Sequence, residues 1–323
     1  MAATICHARC PIIPCGERGD IEMGSSGRSF SKKRFSPSDL LITGICLFSC
    51  FITIYPMYYV LIMSVSDPAL TASTGPAYFY PKGLYFGSYK LIFRDARLWR
   101  AFGNTVFYVV FGTLFMIFTT VSMAYPLTRP NLKHRKAVVF FILLPMYFSG
   151  GLIPSFLLYY KLGLYNTIWA ILLPSVSIWN IILVHTYFKS LPESLPESAF
   201  IDGASHFQVL TRIIIPLSKP VLAVITIYSV VGIWNDWFTA MIYLPNEELH
   251  PLQMYLQRIL IAQSVNLTRI KTADELKNAM MRILSAAQLN YSMIIFVSLP
   301  IIMVYPMFQK YFIKGVMLGS LKE

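Results

Sequence analysis

Residues 104–127 read Asn-Thr-Val-Phe-Tyr-Val-Val-Phe-Gly-Thr-Leu-Phe-Met-Ile-Phe-Thr-Thr-Val-Ser-Met-Ala-Tyr-Pro-Leu, a run without one acid, lysine or arginine. A helix crossing the hydrocarbon core of a bilayer needs about 20 such residues. Five further stretches are as long and as apolar: 40–65, 137–160, 167–188, 221–244 and 290–309. Within all six the ionisable exceptions are Asp236 and His185. The sequence therefore predicts an all-α, polytopic membrane protein with six transmembrane helices.

Composition agrees. Hydrophobic residues make up 56% of the 323 positions and charged residues 13%, against roughly 25% charged in soluble domains. Mean hydropathy is +0.58. These values exclude an ordinary water-soluble domain and a disordered chain. The net charge of +12 suits short loops on one membrane side. A nucleic-acid binder would need a basic face on a polar fold, so no nucleic-acid partner is expected. Cys6, Cys10 and Cys15 lie in a polar tail with no zinc spacing, and no metal site is expected.

The first 38 residues lack the apolar centre of a secretory signal, so the first span reads as a retained anchor behind a basic cytoplasmic arm, 1–38. The membrane domain then runs over 39–323. Lys32, Lys33 and Arg34 before span one, Arg129, Lys133, Arg135 and Lys136 between spans two and three, and Lys310, Lys314 and Lys322 at the end share one side. That side is expected to be cytoplasmic, with both termini inside. One region runs against the rule. In the external stretch 66–100, Lys82, Lys90, Arg94, Arg97 and Arg100 outnumber Asp67 and Asp95; a surface helix packed on the bundle would accommodate some of them. Gly150, Gly151 and Pro154 interrupt span three. A proline kink and a full break are both open, the kink being the simpler.

The loop at 189–216 is too apolar for a solvated connection. Ser194, with Pro196 close behind, suits a helix start, and Leu195, Ala199 and Phe200 give it an apolar stripe. Gly203 ends that helix or turns the chain. Phe207, Leu210, Ile213 and Ile214 resume the pattern until Pro216. Two short amphipathic helices joined at glycine suit a partner protein. A helix in the headgroup plane fits less well, because Glu193, Glu197 and Asp202 repel anionic lipid.

Here the sequence resembles a family. Glu197-Ser198-Ala199, three residues, Gly203, nine residues, then Ile213-x-Ile215-Pro216 is similar to the EAA motif of ABC-importer permeases. Ser198 replaces an alanine and Ile215 a leucine. The strings around Asp202, Pro216-Leu-Ser-Lys-Pro220, Lys161-Leu-Gly-Leu-Tyr-Asn166, Trp234-Asn-Asp-Trp-Phe238 and His250-Pro-Leu-Gln253 resemble the carbohydrate-uptake, maltose-permease-like branch. The resemblance spans about residues 38–323 and implies a type I importer fold. It further implies that Glu197, Ser198, Ala199, Asp202, Gly203, Ile213 and Pro216 meet a cytoplasmic ATPase. No phosphate-binding loop G-x4-G-K-[ST] occurs in the chain, so the resemblance implies ATP and magnesium on two separate ATPase subunits and no cofactor here. It also implies a second, non-identical permease chain, an extracytoplasmic solute-binding protein and an oligosaccharide substrate in a bacterial inner membrane. Within the branch, importers of acidic fragments such as alginate or pectin oligosaccharides are a candidate. Arg258, Arg269, Lys271, Lys277 and Arg282 outside would suit an anionic sugar, but Glu247, Glu248, Asp274 and Glu275 nearly balance them.

Asp236 stands with Trp234, Asn235 and Trp237, a set that suits sugar rings through stacking and hydroxyl partners. The same tryptophans would equally suit the membrane interface. Asn104 and Asn180 are further path candidates, though these and His185 fit helix–helix contacts better. The external segment 245–289 predicts a helix near 252–261, then a second amphipathic helix after a capping box of Thr272 with Glu275. The competing reading, a secondary transporter or an intramembrane enzyme without an ATPase, would need more embedded ionisable groups than Asp236 and His185.

Overall fold

In the computed structural model, residues 37–148, 150–262, 283–304 and 306 are described. In chain order the helices are α1 (Pro37–Val65), α2 (Pro68–Thr74), α3 (Gly87–Arg94), α4 (Ala96–Thr128), α5 (Arg135–Tyr147), α6 (Leu152–Lys161), α7 (Trp169–Leu172), α8 (Ile178–Ser190), α9 (Ser194–Ile201), α10 (His206–Val209), α11 (Ile215–Leu217), α12 (Lys219–Asn235), α13 (Phe238–Tyr243) and α14 (Leu252–Ala262), then α15 (Ile283–Val304). No strand occurs among the described residues. Leu40–Val65, Ala96–Thr128, Trp169–Ser190 and Ile283–Val304 are each long and apolar enough to span a membrane. Two bent pairs raise the total to six. The chain divides into two units, Met1–Phe51 and Ile52–Glu323; of the first, the opening of α1 is described, and the second holds the helices discussed below.

Helix α4 is the pillar of the second unit and packs against both α8 and α12. Met116, Val121 and Ala124 of α4 meet Ile181, Val184 and Phe188 of α8 and Val221 and Ile225 of α12. Lipid tails are as apolar as leucine, so close packing and small residues hold such helices together. Gly112 illustrates this, since a methyl group there would lie 2.7 Å from Ile233 Cδ1. Thr113 Oγ1 lies 3.3 Å from Ser229 Oγ across the same seam. Large apolar side chains such as Phe141 and Ile153 point outward, 76% and 73% exposed, which suits a surface facing lipid or another membrane chain.

The basic stretch ahead of span two becomes two surface helices, α2 and α3. Asp67 Oδ1 caps α2 by accepting from Ala69 N at 2.8 Å. Helix α3 carries Lys90 and Arg94 outside while Ser88 and Ile92 are buried. Buried Gln288 of α15 locks it down: Ser88 Oγ donates to Gln288 Oε1 at 2.9 Å, and Gln288 Nε2 donates to Ser66 O at 2.6 Å. An amide buried this deeply needs such partners.

Three elements differ from the sequence reading. Span three breaks instead of kinking: α5 and α6 diverge by 118°. Gly151 takes φ +80°, a conformation side chains resist. Pro154 sits in the first turn of α6, where its missing N–H has no helical partner to lose. Span five stops early. Helix α12 ends at Asn235, Asp236 is extended, and α13 restarts at Phe238. Asn and Asp bond their own backbone and so favour caps over helix interiors. Span two is longer than expected, because Asp95 caps α4 by accepting from Arg97 N at 2.9 Å. The arm up to residue 36, the Thr272–Glu275 capping box, Arg269, Lys271, Lys277, Arg282 and the lysines of the C-terminal tail lie outside the described residues.

Candidate functional site

The loop between the fourth and fifth spans folds as two short helices hinged at glycine. Helix α9 starts at Ser194 and ends in a Schellman motif: Gly203 N donates to Phe200 O at 3.1 Å and Ala204 N to Ala199 O at 2.9 Å. Gly203 takes φ +79°, and a methyl group there would meet nothing within 4 Å. Glycine is needed here for the backbone angle, and the space beside it is open. Helix α10 then begins with a complete capping box of Ser205 and Gln208.

The helix ladder from α10 to α11 widens into a π turn over Leu210–Ile214. Pro216 cannot donate to the carbonyl one turn back, and a wider turn absorbs that loss. The segment His206–Leu217 meets Lys219–Asn235 at 79°, with Ser218 fully buried at the elbow. The loop is therefore continuous with span five through this bend.

The loop has an inner and an outer side. Pro196 is buried, and Ala199 and Phe200 pack on the core made by α4, α8 and α12. Glu197, Ser198, Asp202 and Gly203 are exposed. Ser198 Oγ donates to Leu195 O at 3.0 Å, so that hydroxyl is turned back on its own helix. Ile201 is 87% exposed and Phe207 72%. Isoleucine and phenylalanine beside two carboxylates form an amphipathic patch suited to a protein partner. Ile213 is half-buried and Pro216 exposed.

An open cavity of about 1040 Å³ lies beside the loop, lined by the end of α4, the following loop, the end of α8 and residues of α9 and α10, exposed Glu197 and Phe207 among them. At its wall the Arg129 guanidinium sits 4.5 Å from the Tyr125 ring centre and 5.9 Å from that of Phe200. The His206 ring stands edge-on to Phe200 at 4.8 Å. The sequence reading took Arg129 only as a topology signal. An aromatic residue four positions before an arginine at a helix end was the available sign.

The tryptophan motif splits by role. Trp234 is buried, and its Nε1 donates to Val297 O of α15 at 3.1 Å. Asp236 Oδ1 accepts from Thr239 N at 3.0 Å and so caps α13. Asn235 is exposed, with its Oδ1 accepting from Gln253 Nε2 at 3.1 Å. Trp237 is half-buried and packs edge-on against Phe238. Asn104 lies elsewhere: its Nδ2 donates to Glu248 O at 2.6 Å and His250 O at 3.1 Å, tying α4 to the loop between α13 and α14. Asn180 is buried with its Nδ2 3.6 Å from Met116 Sδ. Trp234 to Trp237 thus stay contiguous, while Asn104 and Asn180 belong to other contacts.

The face formed by the α6–α7 and α13–α14 loops is clipped together. Asn166, missed by the sequence reading except as part of a motif, takes φ +61°. Its N donates to Tyr243 O at 2.9 Å, and its Oδ1 accepts from Asn246 N at 3.2 Å. His250 is buried with Nε2 2.8 Å from Leu244 O; burial pushes its pKa below the ordinary histidine value, against the Leu244 carbonyl and Glu247, with Arg258 pushing the same way as burial. Exposed Arg258 pairs with Glu247 at 2.5 Å, and Arg100 with Glu248 at 2.7 Å. Burial raises the Asp95 pKa, but hydrogen bonds from Tyr255 and Arg97 N and the Arg97 charge outweigh it and hold the carboxyl below its usual value. Arg258 is therefore already engaged with a carboxylate.

Relatives carry the same framework. The chain is 37% identical over 272 residues to Protein LplC of Bacillus subtilis, covering 84% of this chain and 90% of that one. It is 32% identical over 290 residues to the polygalacturonan/rhamnogalacturonan transport system permease protein YtcP of the same species, covering 88% and 98%. Among solved structures it is similar to a bacterial ABC transporter involved in the import of the acidic polysaccharide alginate, with a TM-score of 0.77, 33% identity and coverage of 86% and 99%. The second of these relatives is named as a transport permease and the solved structure as an ABC transporter. Residues 102–318 match the family described as binding-protein-dependent transport system inner membrane component, and the chain belongs to that family.

Proposed function

We propose that this chain is the permease subunit of an ATP-driven importer of oligosaccharides, acidic ones among them, and forms half of the translocation pore. The observation that carries the coupling part is the exposed patch of Ile201, Asp202 and Gly203, with exposed Glu197 between it and the neighbouring cavity, on a loop continuous with span five through a 79° bend. A cytoplasmic ATPase docks there. Its ATP and magnesium stay on its own chains, two per importer. Nucleotide-driven closure moves the loop as a rigid body, and the 79° elbow at Ser218 converts that movement into a shift of α12. The loop side is cytoplasmic, both termini lie on that side, and the membrane is the bacterial inner membrane. A second, non-identical permease completes the pore, and a solute-binding protein delivers cargo to the opposite face.

Acidic cargo is supported by two relatives, one named for polygalacturonan and rhamnogalacturonan and one solved as an alginate importer. The substrate path runs past Asn235, Asp236 and Trp237, with Trp234 as support beneath them; Asn104 and Asn180 hold the walls. A stand-alone carrier or an intramembrane enzyme finds no support in a family defined by binding-protein-dependent transport.

The test is uptake of labelled oligogalacturonate and of neutral maltotriose in cells with and without the chain, joined to co-purification. Uptake of the acidic sugar that needs the chain, with an ATPase subunit retained on the purified complex, is the expected result. A chain that transports after stripping of every ATPase subunit would end the proposal.

A further inference from the structure

The loop is covalently joined to spans four and five, yet it also grips span two. Helix α4 ends with Tyr125 and, at its C-cap, Arg129. Tyr125 is 6% exposed. The Arg129 guanidinium lies over its ring at 4.5 Å and over the ring of Phe200 of α9 at 5.9 Å. His206, the first residue of α10, closes the group: its ring is 4.8 Å from Phe200, and its Nδ1 is 3.5 Å from Tyr125 Oη. Arg129 Nε is buried without a hydrogen-bond partner. No ion pair to Arg129 occurs among the described residues, although Glu193 and Glu197 line the same cavity.

A surface arginine kept for topology would extend into water. This one has its guanidinium over aromatic rings of two different elements, at 4.5 Å and 5.9 Å from their centres, and a planar guanidinium stacks on such rings where a lysine ammonium acts only as a point charge. We infer that Arg129 is a positioning residue, clamping span two to the coupling elbow through Tyr125, Phe200 and His206. A displacement of α9 then moves α4, the pillar of the bundle, together with spans four and five. Without the clamp, α9 could shift and leave α4 behind, and ATP would be hydrolysed without full opening of the pore. The inference rests on the docking of an ATPase at Glu197 and Gly203.

The test uses the complete importer in proteoliposomes, with transported oligogalacturonate measured per ATP hydrolysed. Arg129→Gln and Phe200→Leu are expected to lower that ratio about tenfold while ATP hydrolysis stays within about twofold. Arg129→Lys keeps the charge but not the plane and should recover only part of the ratio. An effect on folding alone would lower the yield of assembled importer and leave the ratio of what assembles unchanged. Ratios within twofold of the unsubstituted protein in assembled Arg129→Lys and Phe200→Leu overturn the clamp, even if Arg129→Gln does not assemble. A Glu197→Cys variant, with the five native cysteines replaced by serine, separates the two ideas. If it cross-links to the ATPase while the ratios hold, only the clamp fails; if it does not cross-link, the docking beneath it fails.

Discussion

Trp234 Nε1 donates to the Val297 carbonyl at 3.1 Å, joining span five to span six. Around it lie Ile92, Leu98, Leu252, Leu256 and Met293, so the indole is a joint between α4, α12 and α15 and the shorter helices α3 and α14. The neighbouring Asn235 is exposed. One step along the helix separates the support from the accessible surface.

Trp234→Phe should therefore cost stability more than it changes cargo preference. Loss of the bond is worth about 1 kcal/mol, while Trp234→Ala also opens a cavity and should cost about 3–5 kcal/mol. Thermal melting of the detergent-solubilised protein measures both. A Trp234→Phe protein with unchanged melting and a changed ratio of acidic to neutral sugar uptake would reverse this assignment.

Gly203 offers a graded series. Its φ of +79° and open surroundings leave backbone strain as the local penalty, about 1–2 kcal/mol for an ordinary side chain. Asn visits this region more readily. In the folded chain Gly203→Asn should be milder than Gly203→Val. In transport both should be impaired, since either side chain projects from the patch offered to the ATPase. Co-purified ATPase per permease reads this out, and full retention by Gly203→Val would count against docking at this turn.

His250 gives the loop between α13 and α14 a pH dependence. Its pKa is lowered by burial, so below the unfolded value of about 6.5 the unfolded chain binds the extra proton first. The fold around the buried ring then loses stability as pH falls through about 6.5, because burial penalises the charged imidazole. Asp95 acts in a different window: its lowered pKa contributes stability above about 3.9, which is lost as pH falls below that value. Hydrogen exchange over residues 244–258, corrected for intrinsic rates, should quicken between pH 7.5 and 5.5. In His250→Gln that acceleration should disappear; its persistence would assign the effect to another group.

Span count, the two loop helices and the glycine hinge were all legible in the sequence, because each follows from local chemistry. Apolar length sets a membrane helix, and Gly203 and the capping pair Ser205 and Gln208 set the elbow. The breaks were only half legible. Gly151 marked a weak point, but whether span three bends or breaks depends on what its two halves pack against. Asp236 looked like a buried charge within a span; once the helix ends at Asn235 it is a cap.

The amino-acid order alone determined that the chain lives in a membrane and that an amphipathic elbow joins spans four and five, because hydrophobic length and turn-forming residues act over a few neighbouring positions. Only the tertiary structure decided that Trp234 faces Val297, that Asn104 holds the loop between α13 and α14, and that Arg129 meets Phe200 as well as Tyr125. These pairs are separated by 63, about 145 and 71 positions, and no periodicity reports which side chains meet once helices pack.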